Sequence, residues 1–181
     1  MSDSYITIVP TSVTRGQVEG LSQLTINWLT EKQFISPNKT NCVLGQEAGY
    51  SPGPKYRDIV DGDDFRLLSL KTNGLQVVSK RQVFDNGENG LEEINCPKCG
   101  ANNIDSDWGD VIGAWDSEQD DKLKCNHCDK ESSITDYNFQ PTWGFGEFEL
   151  TFWNWPSLTT AFLDDLKKLL NKDIRVIYGK L

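Results

Sequence analysis

Histidine is all but missing from this sequence: His127 is the only one in 181 residues. It sits between the two cysteines of a Cys-x-x-Cys pair, so no Ser-His-Asp or Cys-His arrangement for nucleophilic catalysis can be assembled. Positive charge is scarce as well, with 18 Lys and Arg against 27 Asp and Glu for a net charge of -9. A cationic face supplies most non-specific affinity for phosphate backbones and for anionic lipid, so nucleic acid and membrane surfaces are excluded as partners. A basic protein is the partner this charge attracts; the plainer reading is that the charge serves solubility. No apolar run approaches the roughly 18–20 residues of a membrane-spanning helix. Met1-Ser2-Asp3-Ser4 lacks the basic segment and apolar run of a signal peptide, so a cytoplasmic location is expected. No G-x-x-x-x-G-K-[ST] loop for nucleotide phosphates is present, and the prolines of Gly49-Tyr-Ser-Pro-Gly-Pro-Lys55 remove backbone donors that phosphates need. Asp61-Gly-Asp-Asp64 reads as a solvated acidic turn, since no distal Glu completes a calcium loop.

What is present is a body with aromatic residues in plenty and a cysteine-bearing insertion. Trp, Phe and Tyr make up 10% of the chain, enough for one domain to bury a core. Tyr5-Ile-Thr-Ile-Val9 alternates and is β-branched, as a strand requires. Thr14 and Gln17 have the spacing of a capping box, and Val18, Leu21, Leu24, Trp28 and Leu29 follow on one helical face. Ser36-Pro37-Asn38 breaks the chain, and Asn41–Leu44 is expected as a short strand. Gly49–Tyr56 has turn chemistry, and Phe65–Leu70 and Leu75–Phe84 read as a hairpin through Thr72-Asn73-Gly74.

The other end repeats the strand–helix–strand plan. Phe148–Trp155 is strand-like and ends at Pro156, with Ser157 or Thr159 available to cap a helix. Leu158, Phe162, Leu166 and Leu169 form that helix's apolar stripe, and Ile174–Tyr178 makes a last strand. The aromatic run 143–156 is either a central strand buried on both faces or the wall of a ligand groove.

Cys96-Pro-Lys-Cys99-Gly100 and Cys125-Asn-His-Cys128 are separated by 25 residues. A two-residue spacer lets both thiolates of a tight turn point at one ion, and two such turns complete a tetrahedron of sulfurs. Gly100 and Asp129 follow the two pairs where a left-handed backbone is often needed. Four thiolates in a closed shell favour one structural zinc ion, with a Cys-ligated iron–sulfur cluster as the alternative metal site. Two disulfides would need an oxidising compartment, and a thioredoxin-like pair would explain one Cys-x-x-Cys, not two. His127 is expected to be an exposed spacer, and Cys42 a small buried hydrophobe. Asp105, Asp107, Asp110, Asp116, Glu118, Asp120 and Asp121 lie in the insertion with no Lys or Arg between Gly100 and Asp121. Trp108 and Trp115 are interleaved with them, either capping a small core or serving as anchors for a cationic protein surface.

Asn73-Gly-Leu, Arg81-Gln-Val-Phe-Asp85, the paired Cys-x-x-Cys, Pro141-Thr-Trp-Gly-Phe145 and Phe152-Trp-Asn-Trp-Pro156 together resemble a family of uncharacterised bacterial cytosolic proteins. The resemblance spans roughly residues 73–156 and implies an inserted four-cysteine zinc ribbon. Some members carry a transporter-ATPase label, which finds no nucleotide loop in this sequence.

The expectation is therefore an α+β body, residues 1–90 plus 140–181, with a mostly antiparallel sheet and two helices, a ferredoxin-like arrangement being one candidate. A zinc ribbon, residues 91–139, is inserted into it through Cys96, Cys99, Cys125 and Cys128. The function expected is non-catalytic: an acidic immunity or inhibitor protein that meets a basic toxin or nuclease through Trp108, Trp115, Asp116, Asp120 and Asp121. The competing expectation is an enzyme that works through a cleft in the body, with the zinc purely structural.

Overall fold

The computed structural model describes residues 3–45, 48–62 and 69–181. In chain order these form β1 (Ser4–Pro10), α1 (Val18–Glu31), β2 (Ile35–Thr40), β3 (Gly49–Pro52), β4 (Gly74–Val78), β5 (Gln82–Phe84) and β6 (Glu93–Asn95). There follow α2 (Trp108–Asp116), β7 (Lys122–Lys124), β8 (Glu131–Ser133), β9 (Asn138–Gln140), β10 (Gly144–Gly146), β11 (Glu149–Trp153), α3 (Thr160–Leu170) and β12 (Ile174–Lys180). Among the described residues, six strands form one antiparallel sheet in the order β12-β1-β11-β4-β3-β2.

Alternation along the strands divides this sheet into two unlike faces. Ile6, Ile8, Leu75, Leu150 and Phe152 point to one side, where Leu29 of α1 and Phe162, Leu166 and Leu170 of α3 close over them in a single apolar cluster. Trp28 and Phe162 stack across the helix pair with ring centroids 5.9 Å apart. The opposite face carries Tyr5, Thr7, Glu149, Thr151 and Trp153, with Thr7 opposite Thr151 and Tyr5 opposite Trp153 in the register. Covered on one side only by helices, the sheet is a two-layer α+β body. Its strands β12-β1-β11-β4, with α1 after β1 and α3 after β11, are compatible with a ferredoxin-like order.

Helix starts follow the capping chemistry. The Gln17 side chain accepts the Thr14 N–H at 3.1 Å ahead of α1. Thr159 caps α3, its hydroxyl accepting the Phe162 N–H at 3.2 Å, and Asn171 closes that helix in a left-handed conformation. Replacing Thr159 by Ala is expected to lower stability by about 1 kcal/mol in denaturant titration, while Thr159→Ser stays within a few tenths.

Several local expectations change. The strand after α1 is Ile35–Thr40 rather than Asn41–Leu44, and it contains Pro37. Its place at the sheet edge explains this: an edge strand tolerates the missing N–H, and the register with β3 shifts between Ile35 and Lys39. Cys42 and Val43 are buried in the loop that follows. Gly49–Pro52, expected as turn, is strand β3. Its Gly49 is needed for close approach, since a Cβ there would collide with the Val43 side chain and the Leu75 carbonyl. The expected long strand Leu75–Phe84 is two strands, β4 and β5, parted at residues 79–81. Its expected hairpin partner, Phe65–Leu70, lies largely outside the described residues, as does part of the acidic turn 61–64. Asn73, from the turn expected between them, is held by a distant part of the chain. It is buried, and its amide donates to the Asn154 carbonyl at 2.8 Å. Asn154 in turn donates to Asp3 and to the Thr72 carbonyl and accepts the Ser4 N–H, so it ties β1, β4 and β11 together.

Candidate metal centre

Each cysteine pair begins where a three-residue strand ends: Cys96 directly follows β6 and Cys125 directly follows β7. The two turns are built alike. The Gly100 N–H donates to the Cys96 carbonyl at 2.9 Å, and the Asp129 N–H to the Cys125 carbonyl at 3.0 Å. The Lys98 N–H points at the Cys96 sulfur at 3.3 Å, and the His127 N–H at the Cys125 sulfur at 3.4 Å. Both turns close through the left-handed residues expected, Gly100 at φ +75° and Asp129 at φ +59°.

The turns face one another so that all four sulfurs lie within 4.8 Å. Cys96 Sγ is 3.9 Å from Cys128 Sγ, and Cys99 Sγ is 3.6 Å from Cys125 Sγ. Metal–thiolate bonds of about 2.3 Å put the corners of a tetrahedron about 3.8 Å apart, so the donor set fits one four-coordinate ion. None of the cysteines is in a disulfide. Cys96 and Cys125 are buried, Cys128 is half-buried and Cys99 faces solvent.

The electrostatics of the bare sulfurs point the same way. Against the burial that raises it, the His127 and Cys128 N–H groups pull the Cys125 thiol down to about 6. The Ala101 N–H favours the Cys99 thiolate, but burial and the other three sulfurs outweigh it and push that thiol up to about 12. Four thiolates at this spacing repel one another, and only a cation among them lets all four ionise together.

A small core supports the centre. Ile94, Leu123, Ile134, Tyr137 and Phe139 are buried with Cys96, Cys125 and Trp115 in a second apolar cluster. It is framed by the β6–β9 and β7–β8 pairs. The Tyr137 phenol donates to the Leu123 carbonyl at 3.0 Å; burial first, then the charge of Cys96 and Cys125, raises its pKa far above the usual phenol range. Asn103, almost fully buried, joins the two turns: its amide donates to the Ala101 carbonyl, and its oxygen accepts the Asn126 N–H at 2.9 Å. His127 is exposed and lies outside the four-sulfur cluster, its Nε2 3.1 Å from the Asn102 carbonyl oxygen.

The remaining residues singled out in the sequence fall in three places. Trp115 is 6% exposed and packs edge-on against Phe145, so its ring belongs to the second core. Trp108 is half-buried, donating its indole N–H to the Ile104 carbonyl and lying edge-on to Trp143. Asp116 and Asp120 are exposed at the C-terminal side of α2, and Asp121 accepts the Ser133 hydroxyl at 2.6 Å. Of the aromatic run, Phe148, Phe152 and Trp155 enter the first core, while Trp143 and Phe145 pack against the second.

Arg81 links the second apolar cluster to the segment before β11. Its guanidinium lies 3.8 Å above the Trp115 ring, donates twice to the Trp115 carbonyl, and pairs with Glu147 at 2.9 Å. Arg15, ahead of α1, reaches Glu118 just past α2. Removing this half-buried charged donor leaves the Trp115 carbonyl with the Glu118 N–H and Glu147 with only its longer contact to Arg15. Arg81→Ala is expected to lower stability by about 2 kcal/mol, read by denaturant unfolding, with Arg81→Lys recovering only part of it.

No family model, curated protein or solved structure matches the chain. Among the described residues, no helix is long and apolar enough to cross a membrane.

Proposed function

We propose that this chain is a non-catalytic binding protein. In this reading a single structural zinc ion holds an acidic ribbon in shape for a basic protein partner, such as a toxin or nuclease that the chain neutralises. The observation that carries it is the closed set of four sulfurs beside unpaired acid. A fourth thiolate takes the position a catalytic zinc keeps for water, and zinc suits four tetrahedral thiolates without redox chemistry. Among the described residues, Asp105, Asp107, Asp110 and Asp116 make no ion pair. The first three stand at or before the N-terminal turn of α2, where the helix dipole favours negative charge. Asp116 does not share that explanation: at the C-terminal end of α2 it works against the dipole by about 0.3–1 kcal/mol, without the Arg15 partner that Glu118 has. Charge held against local stability is what a surface selected for a cationic partner contains.

The test is capture from host extract at low salt, with the intact protein and a variant carrying Asp105→Asn, Asp110→Asn and Asp116→Asn. A basic protein retained by the first, eluted by salt and lost with the second is the expected result. A partner indifferent to both salt and the substitutions, or none at all, overturns the reading. Metal analysis of protein purified without added metal checks the ion separately, with one zinc per chain expected and a coloured iron protein overturning it.

A further inference from the structure

The helix-free face of the sheet is not flat. The pair β5–β10 covers its Val9 and Ile177 end, where Phe84 completes a small apolar cluster. This leaves a cleft of about 540 Å³ at the Tyr5 and Thr7 end. Its floor is polar and buried: Glu149 is 3% exposed, and the Thr7 and Thr151 hydroxyls are bonded at 2.9 Å, with Thr151 donating onward to Glu149. Its wall is aromatic. The rings of Tyr5 and Trp153 have centroids 5.3 Å apart and are inclined at 58° to each other. Asp85 stands at the rim, accepting the Tyr5 hydroxyl on its backbone carbonyl, and exposed Lys80 is also in the lining.

Two carboxylates, Asp85 and Glu149, stand in the lining against one ammonium, Lys80. Burial first, then the charges of Asp85 and Glu149, push the Tyr5 phenol up to about 12. Negative charge that opposes the phenolate favours any cation in the same place. The walls discriminate among cations. Two carboxylates and the Thr hydroxyls offer many acceptors, matching the five N–H donors of a guanidinium better than the three of an ammonium. The Trp153 ring in the lining suits a flat, weakly hydrated cation lying against it.

We propose that this cleft receives an arginine side chain of the basic partner, its guanidinium on Glu149 and Asp85 and its plane against Trp153. The proposal rests on the basic-partner reading above and names where the cation goes: onto the sheet as well as the ribbon.

The probe is the peptide acetyl-Gly-Arg-Gly-amide, titrated into the zinc-loaded full chain beside peptides carrying lysine or citrulline in place of arginine. Binding is followed by calorimetry and by the Trp153 indole N–H resonance, assigned with Trp153→Phe. The arginine peptide is expected to bind and shift that resonance, with citrulline weaker by about tenfold or more, the weight of one charge-assisted hydrogen bond. Glu149→Gln should weaken the arginine peptide by a similar factor. Because Glu149 is buried and that variant can fail to fold, Asp85→Asn at the exposed rim supplies an independent test, with a smaller loss expected. Citrulline binding as well as arginine, shifts confined to the ribbon, or no binding at millimolar peptide overturns the proposal. A peptide that binds here when host extract yields no basic partner overturns the functional reading alone. A captured partner unaffected by Asp85→Asn, Glu149→Gln and Trp153→Phe overturns the cleft alone.

Discussion

Stripping the metal from the four cysteines is expected to unfold the ribbon while the six-stranded sheet keeps its structure. The strands β6, β7, β8 and β9 have three residues each, and two of the eight buried residues of the second cluster, Cys96 and Cys125, belong to the four-sulfur set that could hold the ion. Segments of this size rarely hold a fold by apolar burial alone. Metal binding at such a centre is folding energy, about 10–16 kcal/mol in isolated zinc-finger peptides near neutral pH. On chelation, four thiols should become reactive to a thiol reagent, while Cys42, buried in the body, stays slow. Hydrogen exchange should show protection lost in β6 to β9 and kept in β1 and β11. Some loosening should cross into the body along a defined route: Arg81 loses the Trp115 carbonyl, and Val83, Trp143 and Phe145 lose the surface they pack against. Cys125→Ala, which removes the most deeply buried ligand, should reproduce the chelated state. Full protection of β6 to β9 after chelation would mean that the small core stands without its ion.

The legible parts of this chain are those whose cause is local. Two Cys-x-x-Cys pairs carry their geometry in their spacing, and the left-handed turns at Gly100 and Asp129 follow from closing each one. Strands β1, β11 and β12 and helices α1 and α3 announce themselves through alternation and helical spacing. The misread parts have causes that lie elsewhere in the fold. Pro37 reads as a breaker until it is known to sit on an edge strand, and Gly49 as a turn until Val43 and Leu75 are seen against it. Helix α2 is legible in the helical spacing of Trp108, Val111, Ile112 and Trp115, although the acids among them suggest an exposed surface. Asn103 and Arg81 could not be found this way, because their partners are 23 and 34 residues distant. Other ties of this kind join distant parts of the chain. Asn73 meets Asn154, Arg81 meets Trp115, and the Trp143 indole donates to Asn86 at 2.7 Å.

Phe152→Ala should be the complementary experiment, cutting the body while sparing the centre. Phe152 is fully buried on β11, a central strand, between Ile6 of β1 and Leu75 of β4. Its ring meets Phe162 of α3 and Trp155 in edge-on contacts at 6.1 and 5.1 Å, so it joins the sheet to the helix layer. Truncation removes the transfer energy of the ring and leaves a cavity that two rigid aromatics and a hydrogen-bonded strand cannot close. Such a change costs about 3–5 kcal/mol, against about 5–15 kcal/mol for the whole of a typical domain. The variant should unfold at markedly lower denaturant, yet, wherever it remains folded, hold metal with unchanged stoichiometry. None of the four cysteines and no residue of the second cluster touches Phe152 through the aromatic contacts that hold it. The two substitutions therefore separate what the chain combines. Cys125→Ala leaves a sheet without its ribbon, and Phe152→Ala a metal-bound ribbon on a weakened sheet. If Phe152→Ala instead released the ion from folded protein, the strands β5 and β10 would be transmitting sheet strain to the centre. The ribbon and the body would then be one cooperative unit joined through Arg81, rather than two cores that share a seam.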